Sequence, residues 1–281
     1  MTSALQVVLN VDDLGLHPAV RRAVEECAAR GTITSASVMA NGPDIVNVRE
    51  TAGVSLGAHL NILRGRPLSP PSEVKSLLDE QGHFIGSWAR FVTRLLQGGI
   101  NLAEVRLEWS RQVVSIRERG LSISHLDGEK HTHCIPPLFA IACEVAAEHN
   151  IPFVRLSAER YGNTHFGVGF LRRAVLNAMC ERSQIPASVR VADSVWGIAE
   201  QGRKLKPSAF AHALHQRTRG LVEIVCHPGR VHRGDPGFPP SFGRMRVTEL
   251  WEPELRTLLE DPWRETADEQ GWILTGFDRV A

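Results

Sequence analysis

The chain has 281 residues, 43% of them hydrophobic and 22% charged, with a formal net charge of +1. That length suits one large core, the composition excludes disorder and fibrous repeats, and the balanced charge gives no reason to expect a nucleic-acid partner. The opening MTSALQVVLNVDD has no basic lead-in, and no apolar run approaches the ~20 residues of a membrane span, so a cytoplasmic protein without a membrane segment is expected.

The elements alternate from the start. LQVVLNV (5–11) predicts a strand, and 18–30 a helix with Pro18 near its start and Gly31 closing its end. A β-branched run at 33–40 predicts the second strand, NGPDIVNVRETAG a short helix, and VSLGAHL (54–60) the third strand. Residues 61–100 read as irregular and rich in Pro and Gly. Leu102, Val105, Trp109, Val113 and Ile116 then recur at helical spacing up to Gly120. LSISHL is the next strand, 136–149 a helix, PFVRL a strand, 167–182 and 207–216 helices, LVEIVCH a strand, 246–260 a helix and GWILTGF the last strand. Alternating strands and helices imply a parallel sheet, and about seven strands predict an α/β fold, a single-domain (β/α) barrel of irregular form over 1–281. An open doubly wound sheet is the alternative. A Rossmann site is excluded, because DDLGLHP follows the first strand where a G-x-G-x-x-G turn would have to stand.

Five strand-like stretches end in residues able to do chemistry: Asp12 and Asp13, His59, the run Asp127 to His133, Arg155, and His227. In a β/α barrel such ends converge on one face, which makes these residues a candidate active site. Two adjacent aspartates after an apolar strand need a cation or a shared proton if buried, although an isolated pair is as often a helix cap. His59 follows the alternation V-S-L-G-A-H, with Gly57 leaving room beside the backbone for a ligand. H-L-D-G-E-K-H-T-H (125–133) packs three histidines and two acids into nine residues, a density suited to a divalent ion in a hydrolytic site. Spacing alone does not say which of them bind it. His227 is placed to protonate a leaving group. Alternation turns Cys226 to the other face, which argues against a thiolate nucleophile. The five cysteines are odd in number and lack a C-x-x-C pair, so neither a disulfide framework nor a thiolate zinc site is expected.

Taken in order, these segments resemble the YdjC-like carbohydrate deacetylases, the group that includes chitooligosaccharide deacetylase and the HpnK-like proteins. VVLNVDDLGLHPAVRRAVEECAARGTITSASVMANGPD is similar to the family's V-N-A-D-D-F-G-L, helix and G-x-x-T-S-x-x-x-M-x-N-G. GAHLNILRGRPLS resembles G-x-H-x-x-x-x-G-x-P-L, HLDGEKHTHCIPPLF resembles H-L-D-S-H-x-H-x-H-x-x-P, and EIVCHPG resembles E-x-x-C-H-P. The resemblance implies a metal-dependent hydrolase that removes the N-acetyl group from an amino sugar, or from its oligosaccharide, nucleotide-linked or lipid-linked conjugate, with one divalent ion (Mg, Zn or Mn) as cofactor. It implies Asp12 as general base, His227 as general acid, and Asp13 and His59 as metal ligands. Asp127, His131, His133 and Arg155 are further candidates for substrate contact or support of the ligands. Glu129 stands where the family carries its usual third ligand, a histidine. Either Glu129 ligates through oxygen, or His131 or His133 takes over, or the site has lost its metal. A catalytically impaired sugar-binding or regulatory protein, and a hydrolase of another small amide, are the alternatives; a homodimer is compatible with the sequence. Loops at 61–100, 157–170 and 230–244 are expected to shape the substrate pocket, with Trp88, Phe166 and Phe238 as stacking candidates.

Overall fold

The computed structural model describes residues 4–215 and 217–280. Strand β1 spans Leu5–Leu14, helix α1 Pro18–Arg30, β2 Ser35–Val38, β3 Ser55–Leu60, α2 Trp88–Leu96, α3 Leu102–Glu118, β4 His125–Gly128 and α4 Pro136–Glu148. There follow β5 Phe153–Val154, α5 Gly167–Cys180, β6 Ser194–Trp196, α6 Pro207–Ala213, β7 Gly220–Cys226, α7 Thr248–Glu260, α8 Trp263–Gln270 and β8 Ile273–Leu274. All strand pairings are parallel, in the order β5-β4-β3-β2-β1-β7-β6, with β8 pairing the beginning of β1. The two outer strands are neighbours in sequence, and the chain between them links the edges. Val154 N–H donates to Arg190 C=O at 3.0 Å, Arg190 N–H to Pro152 C=O at 2.8 Å, and Val195 N–H to Ala158 C=O at 2.9 Å. The sheet therefore curls into the irregular (β/α) barrel that the sequence predicts, with its seam between β5 and β6.

Several expectations needed correction. The short helix expected in 41–53 is one turn of 3-10 helix, Ile45–Asn47. Residues 61–100 are not wholly irregular, since α2 lies there, capped by the Ser87 hydroxyl accepting from Arg90 N–H; the prolines of that region precede the helix and its glycines stand on either side of it. Strand β6 was hidden because three residues are too few to show alternation, and α8 because its sequence, WRETADEQ, is largely polar. The helix expected over 207–216 ends at Ala213, and Gln216 lies outside the described residues.

Helix α3 positions the loop that follows β3. Its Val105, Trp109, Val113 and Ile116 are buried, as their spacing predicts. Two buried polar residues on the same helix hold backbone groups that would otherwise be unpaired. Gln112 exchanges hydrogen bonds with the Asn61 N–H (2.9 Å) and C=O (2.6 Å). Glu108 accepts from Leu68 and Ser69 N–H. The segment 61–69 is thereby fixed across the mouth of the barrel.

Candidate active site

Successive side chains of a regular strand point to opposite faces, so Asp12 and Asp13 could not share a pocket on an undistorted β1. The register of β1 against β2 shifts between Val11 and Leu14, and Asp13 takes a left-handed backbone with φ of 67°. This bulge brings both carboxyl groups to the C-terminal end of the sheet. Both are buried.

Asp12 lies against Arg155, which donates from Nη1 to Oδ2 at 2.8 Å and from Nη2 to Oδ1 at 2.7 Å. Asn10 Nδ2 donates to Oδ1 at 2.9 Å. Burial alone would raise the Asp12 pKa, but the Arg155 guanidinium holds it well below the usual carboxylate range. Arg155 is itself buried and also meets Asp127 Oδ2 at 2.6 Å and Glu223 Oε1 at 2.6 Å. One guanidinium thus organises three acids from β1, β4 and β7.

Asp13 faces a different set. His59 Nδ1 lies 2.8 Å from Asp127 Oδ1, and burial is outweighed by Arg155 in keeping Asp127 ionised, so that nitrogen carries the proton. His59 Nε2 then points at Asp13 Oδ1, 3.3 Å away, and Glu129 Oε2, 3.8 Å away. Among the described residues none donates a hydrogen bond to Asp13 Oδ1. Candidate ligand atoms of Asp13, His59 and Glu129 all lie within 4.8 Å of one another. Two buried carboxyl oxygens and an imidazole nitrogen converging on one point need a positive charge or a shared proton there, and burial accordingly raises the pKa of Asp13. A divalent ion fits that requirement and that donor set; without an ion, a second proton on His59 meets it, and its neighbouring acids, Asp127 foremost, overcome burial to push its pKa well above the ordinary value. The carboxylate–histidine pair Asp127–His59 is the arrangement that fixes a metal-binding imidazole.

Glu129 Oε1 receives Arg64 Nε at 2.9 Å, which leaves Oε2 turned to His59. Burial works against its charge, yet His59 and Arg64 hold its pKa down to about 2. Lys130 and His131 after it are both left-handed, with φ of 50° and 55°, and this turn carries the next histidines away. His131 Nδ1 meets Ser157 Oγ at 2.9 Å, and His133 Nε2 meets the Arg155 carbonyl at 2.9 Å. The geometry brings neither to Asp13 and His59. His125 is further off, stacked on Phe277 in the core, where burial pushes its pKa down to about 4.

His227 leaves the end of β7 with Nε2 3.9 Å from Asp12 Oδ2 and Nδ1 3.7 Å from Glu254 Oε2. Burial would lower its pKa; Glu254 and Asp12 raise it to about 9. Cys226 points away, its thiol against the Asn10 carbonyl at 3.2 Å. Of the stacking candidates, Phe238 packs beside His17 and Trp251, Trp88 against the core, and Phe166 is 88% exposed.

Arg64, Glu223 and Glu254 were not anticipated. Glu223 carried a usable signal, a lone acid inside an apolar strand, which demands a buried partner. Arg64 and Glu254 sit in a loop and a helix, where charged residues are ordinary.

Gly57 serves a purpose other than the one expected, and Gly128 serves a similar one. A Cβ at Gly57 would overlap the His125 ring, so the space beside it belongs to the core and not to a ligand. Gly128 is extended, with φ of −174°, and a Cβ there would lie 2.8 Å from Leu60 O and 3.0 Å from His133 Nδ1. Close approach, not backbone freedom, selects glycine at both positions.

The model of the YdjC-like protein family matches residues 6–269. A carbohydrate deacetylase of Mus musculus is 30% identical over 263 residues, covering 85% of this chain and 81% of its own. A chitooligosaccharide deacetylase of Escherichia fergusonii is 27% identical over 234 residues, covering 80% of this chain and 82% of its own. A solved structure from Enterococcus faecalis V583, provisionally described as a cellobiose-phosphate cleavage protein, superposes with a TM-score of 0.72 at 22% identity, over 99% of this chain and all of that one; it supports the fold alone.

Proposed function

Because the chain belongs to the YdjC-like protein family, we propose that it is a metal-dependent carbohydrate deacetylase. Its substrate is an N-acetylated amino sugar, free, in an oligosaccharide, or nucleotide- or lipid-linked, and its reaction is hydrolysis of the acetamide to acetate and a free amine. The whole chain acts as one catalytic domain, and we place it in the cytoplasm. The observation that carries this reading is the buried convergence of Asp13, His59 and Glu129 beside the Asp12–His227 pair.

Asp13, His59 and Glu129 would hold the ion, magnesium, zinc or manganese. When bound, a divalent ion there acidifies water and draws electron density from an amide carbonyl. Asp12, kept ionised and oriented by Arg155, accepts the proton of the attacking water. His227, protonated at neutral pH with a pKa of about 9, gives a proton to the nitrogen as the C–N bond breaks. Asp127 fixes the ring of His59, and Arg64 fixes Glu129. His131 and His133 take supporting places in the loop.

Acetate release from N-acetylglucosamine oligosaccharides, measured before and after chelation and after metal is restored, tests the reading. Activity should disappear with the metal and return with it. Release that survives complete metal removal would contradict the assignment.

A further inference from the structure

Helix α5 is built the wrong way round for a surface helix. Val168, Leu171, Ala174, Val175 and Ala178 recur at spacings of three and four on its outer side, and all are exposed, Val168 at 74% and Leu171 at 63%. Phe170 flanks this stripe and Phe166, the N-cap residue, precedes it, both exposed. The inner side buries only Leu176 and Cys180. A solvated helix would carry its charges outward; this one turns its apolar residues out.

The charged residues in and beside the helix are mostly of one sign. Between residues 160 and 185 there are four arginines, Arg160, Arg172, Arg173 and Arg182, against one acid, Glu181, giving a local excess of +3 in a chain whose total is +1. Among the described residues none of these arginines pairs with a carboxylate. Arg172 donates to Ile198 O and Gln201, Arg173 to Thr164 O, and Arg182 to Ala178 O. The helix follows the loop that leaves the site end of β5, so its amino-terminal end stands at the rim of the face where Asp12, His59 and His227 converge.

We propose that the outer face of α5 is a docking surface for an anionic lipid bilayer. The helix, about 20 Å long from its 14 residues, lies in the plane of the interface. Phe166, Val168 and Leu171 enter the acyl boundary, and the arginines meet the headgroup phosphates. A second copy of the chain fits this face less well, because two-fold pairing would set the same unpaired arginines against one another. The inference does not depend on the deacetylase reading.

The test is co-sedimentation of the full chain with vesicles of phosphatidylcholine alone and of phosphatidylcholine with phosphatidylglycerol, alongside sedimentation velocity without lipid. Wild type should bind the anionic vesicles, and weaken steeply with salt. The pair Leu171→Ser and Val175→Ser should lower binding by about tenfold or more while leaving the thermal melt and acetate release from a soluble substrate unchanged. Absence of binding to anionic vesicles overturns the proposal. So does a wild-type dimer that the double variant dissociates without any vesicle binding, and so does equal binding to both vesicle types.

Discussion

Asp12 and Asp13 show how one backbone distortion divides two identical side chains between two tasks. The bulge on β1 sends Asp12 to Arg155 and Asp13 to His59. The two should respond differently to substitution. Asp12→Asn keeps the shape but cannot take a proton from water, so turnover should fall by about 10²- to 10⁴-fold while metal content stays at the wild-type value. Asp13→Ala and His59→Ala should instead lose the metal, which elemental analysis of the purified proteins reads directly; full occupancy in both would remove them as ligands. Both aspartates were legible in the sequence as strand-end acids. Their different partners were not, because spacing carries no record of a bulge. Glu129 is similar: its position pointed to the site, but Arg64, which holds its other oxygen, lies 65 residues away in sequence.

At the scale of elements, the site depends on how closely β3 and β4 approach. His59 pairs with Asp127 in register, and Gly57 pairs with His125 one pleat below. The ring of His125 fills the space that a side chain at Gly57 would need. Gly57→Ala should therefore destabilise the fold by about 1–3 kcal/mol, the range for overpacking a tight core, read as a lowered denaturation midpoint. A midpoint equal to wild type would show that β3 and β4 can separate at no cost, and with them His59 and Asp127. Long amphipathic elements such as α3 were legible from their apolar spacing. The short strand β6 and the polar helix α8 were not, since tertiary pairing rather than local pattern holds them in place.

Across the whole molecule, three acids from three strands share one guanidinium in the barrel, an arrangement with more negative than positive charge. Glu223 bears the excess. Burial chiefly, with Asp127 and Asp12 adding to it, raises its pKa to about 7 despite Arg155. A carboxyl whose pKa is higher folded than unfolded stabilises the fold fully below its unfolded value, near 4.5, and the contribution is lost as pH climbs through 7. The loss is on the order of 3 kcal/mol. Wild type should melt at a higher temperature at pH 5 than at pH 8 by more than Glu223→Gln does; parallel pH profiles would show that Glu223 titrates normally. Alternation of strands and helices made the barrel legible, and motif order made the location of the site legible, but the charge network within it is a property of the closed sheet. The most direct test of the account is a metal titration of chelator-stripped protein in which bound ion and acetate release are followed together for wild type, Glu129→His and Glu129→Ala. Activity should rise in proportion to occupancy and saturate at one ion per chain, Glu129→His should retain zinc-supported activity, and Glu129→Ala should bind the ion far more weakly. Wild-type binding and turnover in Glu129→Ala would contradict it, by showing that Asp13, His59 and Glu129 are not the ligand set.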